Sequence, residues 1–329
     1  MKHDLLPNLP SFKANLHTHT NLSDAKLSPA EQKEAYVKAG YSIIAFTEHD
    51  VIFDHSHLAD ENFLPLIGYE LAINDTNDTV GRTCHFCFIA TDPDNIEQPY
   101  IYPSPYLPEG VKPNFVPHYT PEHISEMMRV GREKGFFISY NHPTWSQESY
   151  PQYMNYHGMH AVEIVNYGIK STGYHEINHR VYDDMLKGGE RIFCTASDDN
   201  HNIYPFESPY SDSFGAFTMI RAEKLEYRTI TKALLDGNFY ASQKPLINDL
   251  WVEDGEVHVT CSPVSQIYYS TGIRNAAILN AEGAPLTEAT FKINPNDRYF
   301  RLTLTDDHNL SAFTSAYFLD TLPAECLTK

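Results

Sequence analysis

The chain has 329 residues, enough for one large α/β domain and a smaller companion. Its 42% hydrophobic and 20% charged composition is that of a folded globular protein, and no apolar run approaches the ~20 residues of a membrane span. A formal net charge of −19 excludes a general nucleic-acid surface, because phosphate backbones would be repelled.

The opening "MKHDLLPNLPSFKANL" carries prolines and an early aspartate where a secretory signal needs an unbroken apolar core, so a cytoplasmic location is expected. Five irregularly spaced cysteines (84, 87, 194, 261, 326) predict buried free thiols, not a disulfide framework or zinc knuckle.

In chain order, "SFKANLH" predicts a strand. Ser28, Pro29 and Glu31 predict a capped helix start, and Gly40 its left-handed end. "YSIIAF", "FLPLIGYE" and "CHFCFIAT" read as strands, followed by the helix "PEHISEMMRVGREK" and the strand "FFISYNH". Then come "AVEIVNY", a helix around "HEINHRVYDDMLKGG", the strand "RIFCTAS" and the helix "EKLEYRTITKALLDG". This alternation predicts a parallel sheet, doubly wound or closed into a barrel. From about residue 246 short alternating segments separated by turns such as Asp254-Gly255 predict a small β-sandwich, giving domains over 1–245 and 246–329. The proline- and tyrosine-rich "TDPDNIEQPYIYPSPYLPEGVKPNFVPHY" is expected to be an ordered flap.

The ionisable residues fall at strand ends. His17 and His19 follow the first strand, Glu48 and His49 the second, Glu70 ends the third, His142 ends "FFISYNH", and Asp199 and His201 follow "RIFCTAS". In a (β/α) barrel those ends share one face. His85 opens its strand, and would reach the same centre if that strand ran antiparallel or lay at the rim. Imidazoles and carboxylates are the donors of zinc, manganese and iron sites, and alternation along extended backbone sends His17 and His19 to one side. A lone histidine at a strand end usually just hydrogen-bonds; the coincidence of so many is what points to metal.

The segments "NLHTHTNLSD", "AFTEHD", "NHP" and "ASDDNH", in that order, resemble the four motifs of the polymerase and histidinol phosphatase (PHP) superfamily of metal-dependent phosphoesterases. The resemblance covers roughly Asn15 to Ser242, and the tail is similar to the small β domain of two-domain members. It implies a distorted (β/α)7 barrel of the PHP type with a small C-terminal β-sandwich domain, and two or three divalent ions (Mn, Zn or Fe). His17, His19, Glu70 and Asp199 would surround one ion, Glu70, His85 and His142 a second, and Asp24, His49 and His201 a third. The fourth motif departs from the family pattern in offering both Asp198 and Asp199; Asp199 keeps the Asp-x-His spacing.

The implied activity is hydrolysis of a small phosphorylated substrate by a metal-bridging hydroxide, with no side-chain nucleophile. Arg82, Lys170, Asn166 and Trp145 are candidates for substrate contacts. The alternatives are an amidohydrolase-type enzyme, or a non-catalytic metal-binding module acting through the β domain. The substrate, the oligomeric state and the role of the tail are left open by the sequence.

Overall fold

A computed structural model describes residues 1–77 and 79–327. The strands, in chain order, are β1 (His3–Leu6), β2 (Ser11–Asn15), β3 (Ile43–Phe46), β4 (Leu64–Asn74), β5 (Thr83–Ala90), β6 (Phe136–Tyr140), β7 (Ala161–Asn166), β8 (Phe193–Ser197), β9 (Phe217–Arg221) and β10 (Phe239–Ser242). The tail adds β11 (Ile247–Glu253), β12 (Glu256–Val264), β13 (Gln266–Thr271), β14 (Ala276–Asn280), β15 (Leu286–Lys292), β16 (Tyr299–Thr305) and β17 (Ser311–Phe313).

The fold is mixed α/β. One long sheet runs β14-β13-β16-β17-β10-β9-β2-β3-β4-β5-β6-β7-β8. Strands β2-β3-β4 and β6-β7-β8 pair in parallel, whereas β5 is antiparallel to both neighbours. The expected uninterrupted parallel order is therefore corrected at β5. The cause is the short connection after Asn74, which folds β4 back as a hairpin with no crossover helix. That reversal puts the start of β5, and His85 with it, beside the end of β4: Ala72 faces His85 in register. Beyond β2 and β8, Thr18 bridges Asn200 in parallel, and the amides of His19 and Asp199 donate to Asn200 O and His17 O.

Helices cover the apolar strand faces. Pro29–Lys38 begins with the predicted capping box of Ser28 and Glu31, and the chain leaves it through Gly40 at φ 82°, a conformation open to glycine. Pro121–Glu133 is capped by Thr120. The helix expected around "HEINHRVYDDMLKGG" starts only at His179, because Ile177 bridges Val165 and Asn178 N is held by Ile164 O. The core between these layers includes Tyr69, Phe86, Phe88, Met127, Met128, Phe136 and Ile138, all buried. Burial of each such side chain contributes ~1.5–3 kcal/mol.

The tail forms a second sheet, β1-β11-β12-β15, packed against β13, β16 and β17 through Leu250, Val252, Val257, Val259, Tyr269, Phe300 and Leu302. Its first strand comes from the chain's beginning: His3 pairs with Val252 and Asp4 with Trp251, while Leu5 and Leu6 are buried in the tail core. The division at 245/246 is thus crossed by β1, and by β10, which pairs with both β9 and β17. All five cysteines are free and buried. No helix among the described residues is long and apolar enough to cross a membrane.

Candidate metal centre

The segment after β2 is held extended by its own polar side chains. Asn15 donates to Thr18 Oγ1 (2.7 Å) and Asn200 Oδ1 (3.0 Å) and accepts from Asp198 N, and Thr47 Oγ1 accepts from Thr18 N. Alternation then sends both imidazoles inward, with His17 Nε2 and His19 Nε2 3.1 Å apart. Glu70 lies where β4 passes the end of β3, its amide bound to Glu48 O. Glu48 itself turns away from the histidines: it accepts from Thr20 N, Thr20 Oγ1 and Ser23 Oγ, and so fixes the loop that presents Asp24.

Five histidines converge on the fully buried Glu70. His17 Nε2 and His142 Nε2 are each 3.1 Å from Oε1 and His85 Nδ1 is 3.3 Å from it; His49 Nδ1 and His19 Nε2 are 3.2 and 3.5 Å from Oε2. Asp199 Oδ1 lies 3.1 Å from His19 Nε2 and 3.2 Å from His17 Nε2. At the outer edge Asp24 receives His49 Nε2 at 3.5 Å and His201 Nε2 at 3.3 Å. Donor atoms within 4.8 Å of one another fall into the sets His17-His19-Glu70, His17-His142-Asp199, His49-Glu70-His85 and His19-Asp24-His49-His201. All nine candidate ligands are brought together. The sets overlap because the carboxylates are shared around a continuous cluster: His85 and His142 both approach Glu70 Oε1, while His85 also groups with His49, and His142 with His17 and Asp199.

These residues fit cations better than they fit one another. Glu70 Oε2, Asp199 Oδ1, His19 Nδ1 and His85 Nδ1 are buried and make no directed hydrogen bond among the described residues, although imidazole or carboxylate atoms approach three of them to 3.1–3.5 Å. An orphaned buried polar atom costs ~1–3 kcal/mol, more if charged. Burial and neighbouring charges push these groups in opposite directions. Burial pushes His17 down, but Asp199, Glu70 and Glu163 override it and hold its pKa well above the usual histidine value. Burial, with His49 and His201 nearby, drives His19 down to about 3. Burial would raise Glu70, yet His17 and His85 bring it well below the carboxylate range.

Asp199, not Asp198, faces the cluster. The Asp198 carboxylate points away and accepts from Tyr36 Oη and from the amides of Phe214, Gly215 and Ala216. Asp199 and His142 have positive φ, 50° and 27°, a conformation sparsely populated by non-glycine residues and concentrated at functional sites. Gly168 packs under this turn, where a Cβ would lie 2.5 Å from Asp198 O and 2.6 Å from Asp199 O.

A surrounding layer escaped the sequence. Glu163 is 3.2 Å from His17 Nδ1 and accepts from His142 N, Asn166 Nδ2 and Ser197 Oγ. Asn141 Nδ2 donates to Glu70 Oε1, and Ser146 Oγ lies 3.2 Å from His142 Nδ1. The signal was an acidic residue inside an otherwise apolar strand, "AVEIVN". In the flap, Gln98 donates to Asp50 O and accepts from Ile52 N, and Tyr106 stacks on His49 with ring centres 6.3 Å apart.

The cluster forms one wall of a cavity of about 300 Å³ whose lining includes Trp145, Ile169, Ser171, Thr172, Ile203 and Asp212. Of the four residues expected to contact substrate, only Trp145 lines it; its ring meets His142 and His85 edge-on at 5.1 and 5.4 Å. Asn166 is buried behind the cavity, donating to Glu163 and Asp199. Lys170 is exposed, paired with Glu176 at 3.8 Å, and faces a different groove because the turn after β7 carries it outward. Arg82 lies on the β4-β5 hairpin, 3.8 Å from Asp75, outside the cavity lining.

No protein-family model and no curated protein matches the chain. Among solved structures it is similar to a two-domain protein containing a predicted PHP-like metal-dependent phosphoesterase from Bacteroides vulgatus, with 17% identity, 94% of this chain and 96% of that one covered, and a TM-score of 0.45. It is also similar to a proposed metal-dependent phosphoesterase from Bifidobacterium adolescentis, with 14% identity, coverage of 61% and 91%, and a TM-score of 0.40. A third likeness is to an amidohydrolase from Chromobacterium violaceum with bound sulfate and no metal, with 15% identity, coverage of 57% and 87%, and a TM-score of 0.38. At such scores function has to be argued from the side chains.

Proposed function

We propose that the protein is a metal-dependent phosphoesterase of the PHP type, acting on a small phosphorylated substrate. The observation that carries this is the convergence of His17, His19, Asp24, His49, Glu70, His85, His142, Asp199 and His201 in one cluster, all but His17 and His19 also lining the cavity, with buried carboxylate and imidazole atoms that make no directed hydrogen bond among the described residues. In this reading strands β2–β8 make a distorted seven-stranded barrel, a closure supported by the Thr18–Asn200 bridge, and the tail is its accessory β-sandwich.

The nine residues would hold two or three divalent ions of the manganese, zinc or iron kind, for which imidazole and carboxylate are suitable donors. Such ions, when bound, supply an acidified water and positive charge for phosphoryl oxygens. Glu70 and Asp199, each within 3.5 Å of more than one of these imidazoles, would be shared between neighbouring ions. Glu163 holds His17 by Nδ1, leaving Nε2 as its inward donor. Neither Arg nor Lys lines the cavity among the described residues, so a phosphate there needs the cations for neutralisation. The five buried free thiols suit a reducing compartment, in keeping with a cytoplasmic location.

The test is elemental analysis of the purified protein followed by phosphomonoester, phosphodiester and amide substrates with manganese, zinc or iron. Bound metal with release of phosphate supports the proposal. Amine release would make the protein an amidohydrolase, and bound metal with no turnover a metal-binding module; less than about one ion per chain would remove the metal centre itself, since even a single structural or catalytic site needs one ion.

A further inference from the structure

The part of the cavity lining that is not built from the candidate metal ligands bears on what is attached to the phosphate. Ser171 Oγ donates to Gly168 O at 2.8 Å and Thr172 Oγ1 to Ile169 O at 2.7 Å, so both hydroxyl protons are committed to backbone. Asp212, buried, accepts from His201 N and Asn202 N through one oxygen and from Ser213 Oγ through the other, so its carboxyl group offers acceptors and no donor to this lining. Trp145, Gly168, Ile169 and Ile203 complete this lining, with no lysine or arginine among the described residues. A second phosphate or a carboxylate on the substrate would meet a carboxylate and apolar surface and lose its hydration without compensation. An uncharged ring would meet an indole placed 5.1 Å from His142 and 5.4 Å from His85, directly beside the reacting centre. At about 300 Å³ the space is at the small end of ligand cavities.

We propose that the cavity selects esters carrying a single phosphate on an uncharged, ring-sized group, and that Trp145, Ile169 and Ile203 hold that group. This rests on the phosphoesterase reading and narrows it.

The chain has two tryptophans, and Trp251 lies in the tail, stacked on His258. In metal-loaded Trp251→Phe protein the remaining indole fluorescence therefore reports the cavity. Phenylphosphonate is expected to change that fluorescence and to bind at least about tenfold more tightly than 1,4-phenylene bisphosphonate, a difference of ~1.4 kcal/mol. In turnover, benzyl phosphate is expected to exceed 4-carboxybenzyl phosphate in kcat/KM by about tenfold or more, although each releases a benzyl alcohol. Trp145→Ala should raise KM for benzyl phosphate by about tenfold; if that variant fails to fold, the fluorescence measurement decides. Equal or tighter binding of the bisphosphonate, or equal turnover of the carboxylated ester, overturns this inference and leaves the phosphoesterase standing. Absence of any phosphoester turnover or phosphonate binding overturns both.

Discussion

Glu163 Oε1 lies 3.2 Å from His17 Nδ1, on the far side of the ring from the Nε2 that faces Glu70. The same carboxylate accepts from His142 N through its second oxygen, so one strand residue orients two histidines on separate elements. Glu163→Gln keeps the shape but weakens the hold on His17. Metal affinity is expected to fall about 10–100-fold, as for other outer-shell partners, with little change in secondary structure. Isothermal titration with zinc or manganese checks this.

Glu70 is the centre on which five imidazoles depend. Glu70→Ala should reduce bound metal by at least one ion per chain and lower turnover by more than about 100-fold, beyond the effect of an outer-shell change. Elemental analysis of the purified variant beside the wild type gives the answer.

Removing metal should also cost stability, because bound ions stabilise only the folded state. A ligand at 1,000 times its Kd contributes ~4 kcal/mol, so chelation is expected to lower Tm by roughly 5 °C or more. Restoring the ion should restore Tm, and a chelator without effect on Tm would contradict the assignment.

Away from the histidines, Glu148 accepts from the hydroxyls of Tyr119 (2.7 Å), Tyr156 (2.5 Å) and Tyr140. Burial raises its pKa from 4.5 to about 7, against the opposing pull of those hydroxyls. The folded state therefore holds this proton more strongly than the unfolded one. The stabilisation is complete below pH 4.5 and disappears as pH rises through 7, amounting to on the order of 3 kcal/mol. Glu148→Gln cannot ionise, so the wild type should lose Tm relative to it between pH 5 and pH 8. Parallel melting curves of the two proteins over that range provide the comparison.

Gln98 ties the flap to the loop after His49 by bonds to Asp50 O and Ile52 N. Gln98→Ala should remove roughly 1–2 kcal/mol of local hold and increase amide exchange and proteolysis across residues 91–119, with metal content retained.

Much of the centre could be read from the sequence because its ligands sit at strand ends, where period-two alternation and short polar motifs leave a visible pattern. His85 became intelligible only with the direction of β5, which depends on a hairpin between strands. Glu163 resembled an ordinary charge inside a strand, and its role appears only when His17, 146 residues away, closes over it. Lys170 and Arg82 lie outside the cavity lining for the opposite reason: proximity to a strand end does not determine which way a turn throws a long side chain. The pairing of β1 with β11 joins His3 to Val252, and a strand of four residues, His-Asp-Leu-Leu, cannot announce so distant a partner.

That pairing also bears on synthesis. β1 precedes β11 in the chain, so Leu5 and Leu6 wait for Leu250–Val252 to be made before the ladder that covers them can form. An expression fragment cut at residue 245 would carry the same sticky, unsheltered edge for good, whereas one begun at Ser11 would leave β11 without its outer neighbour.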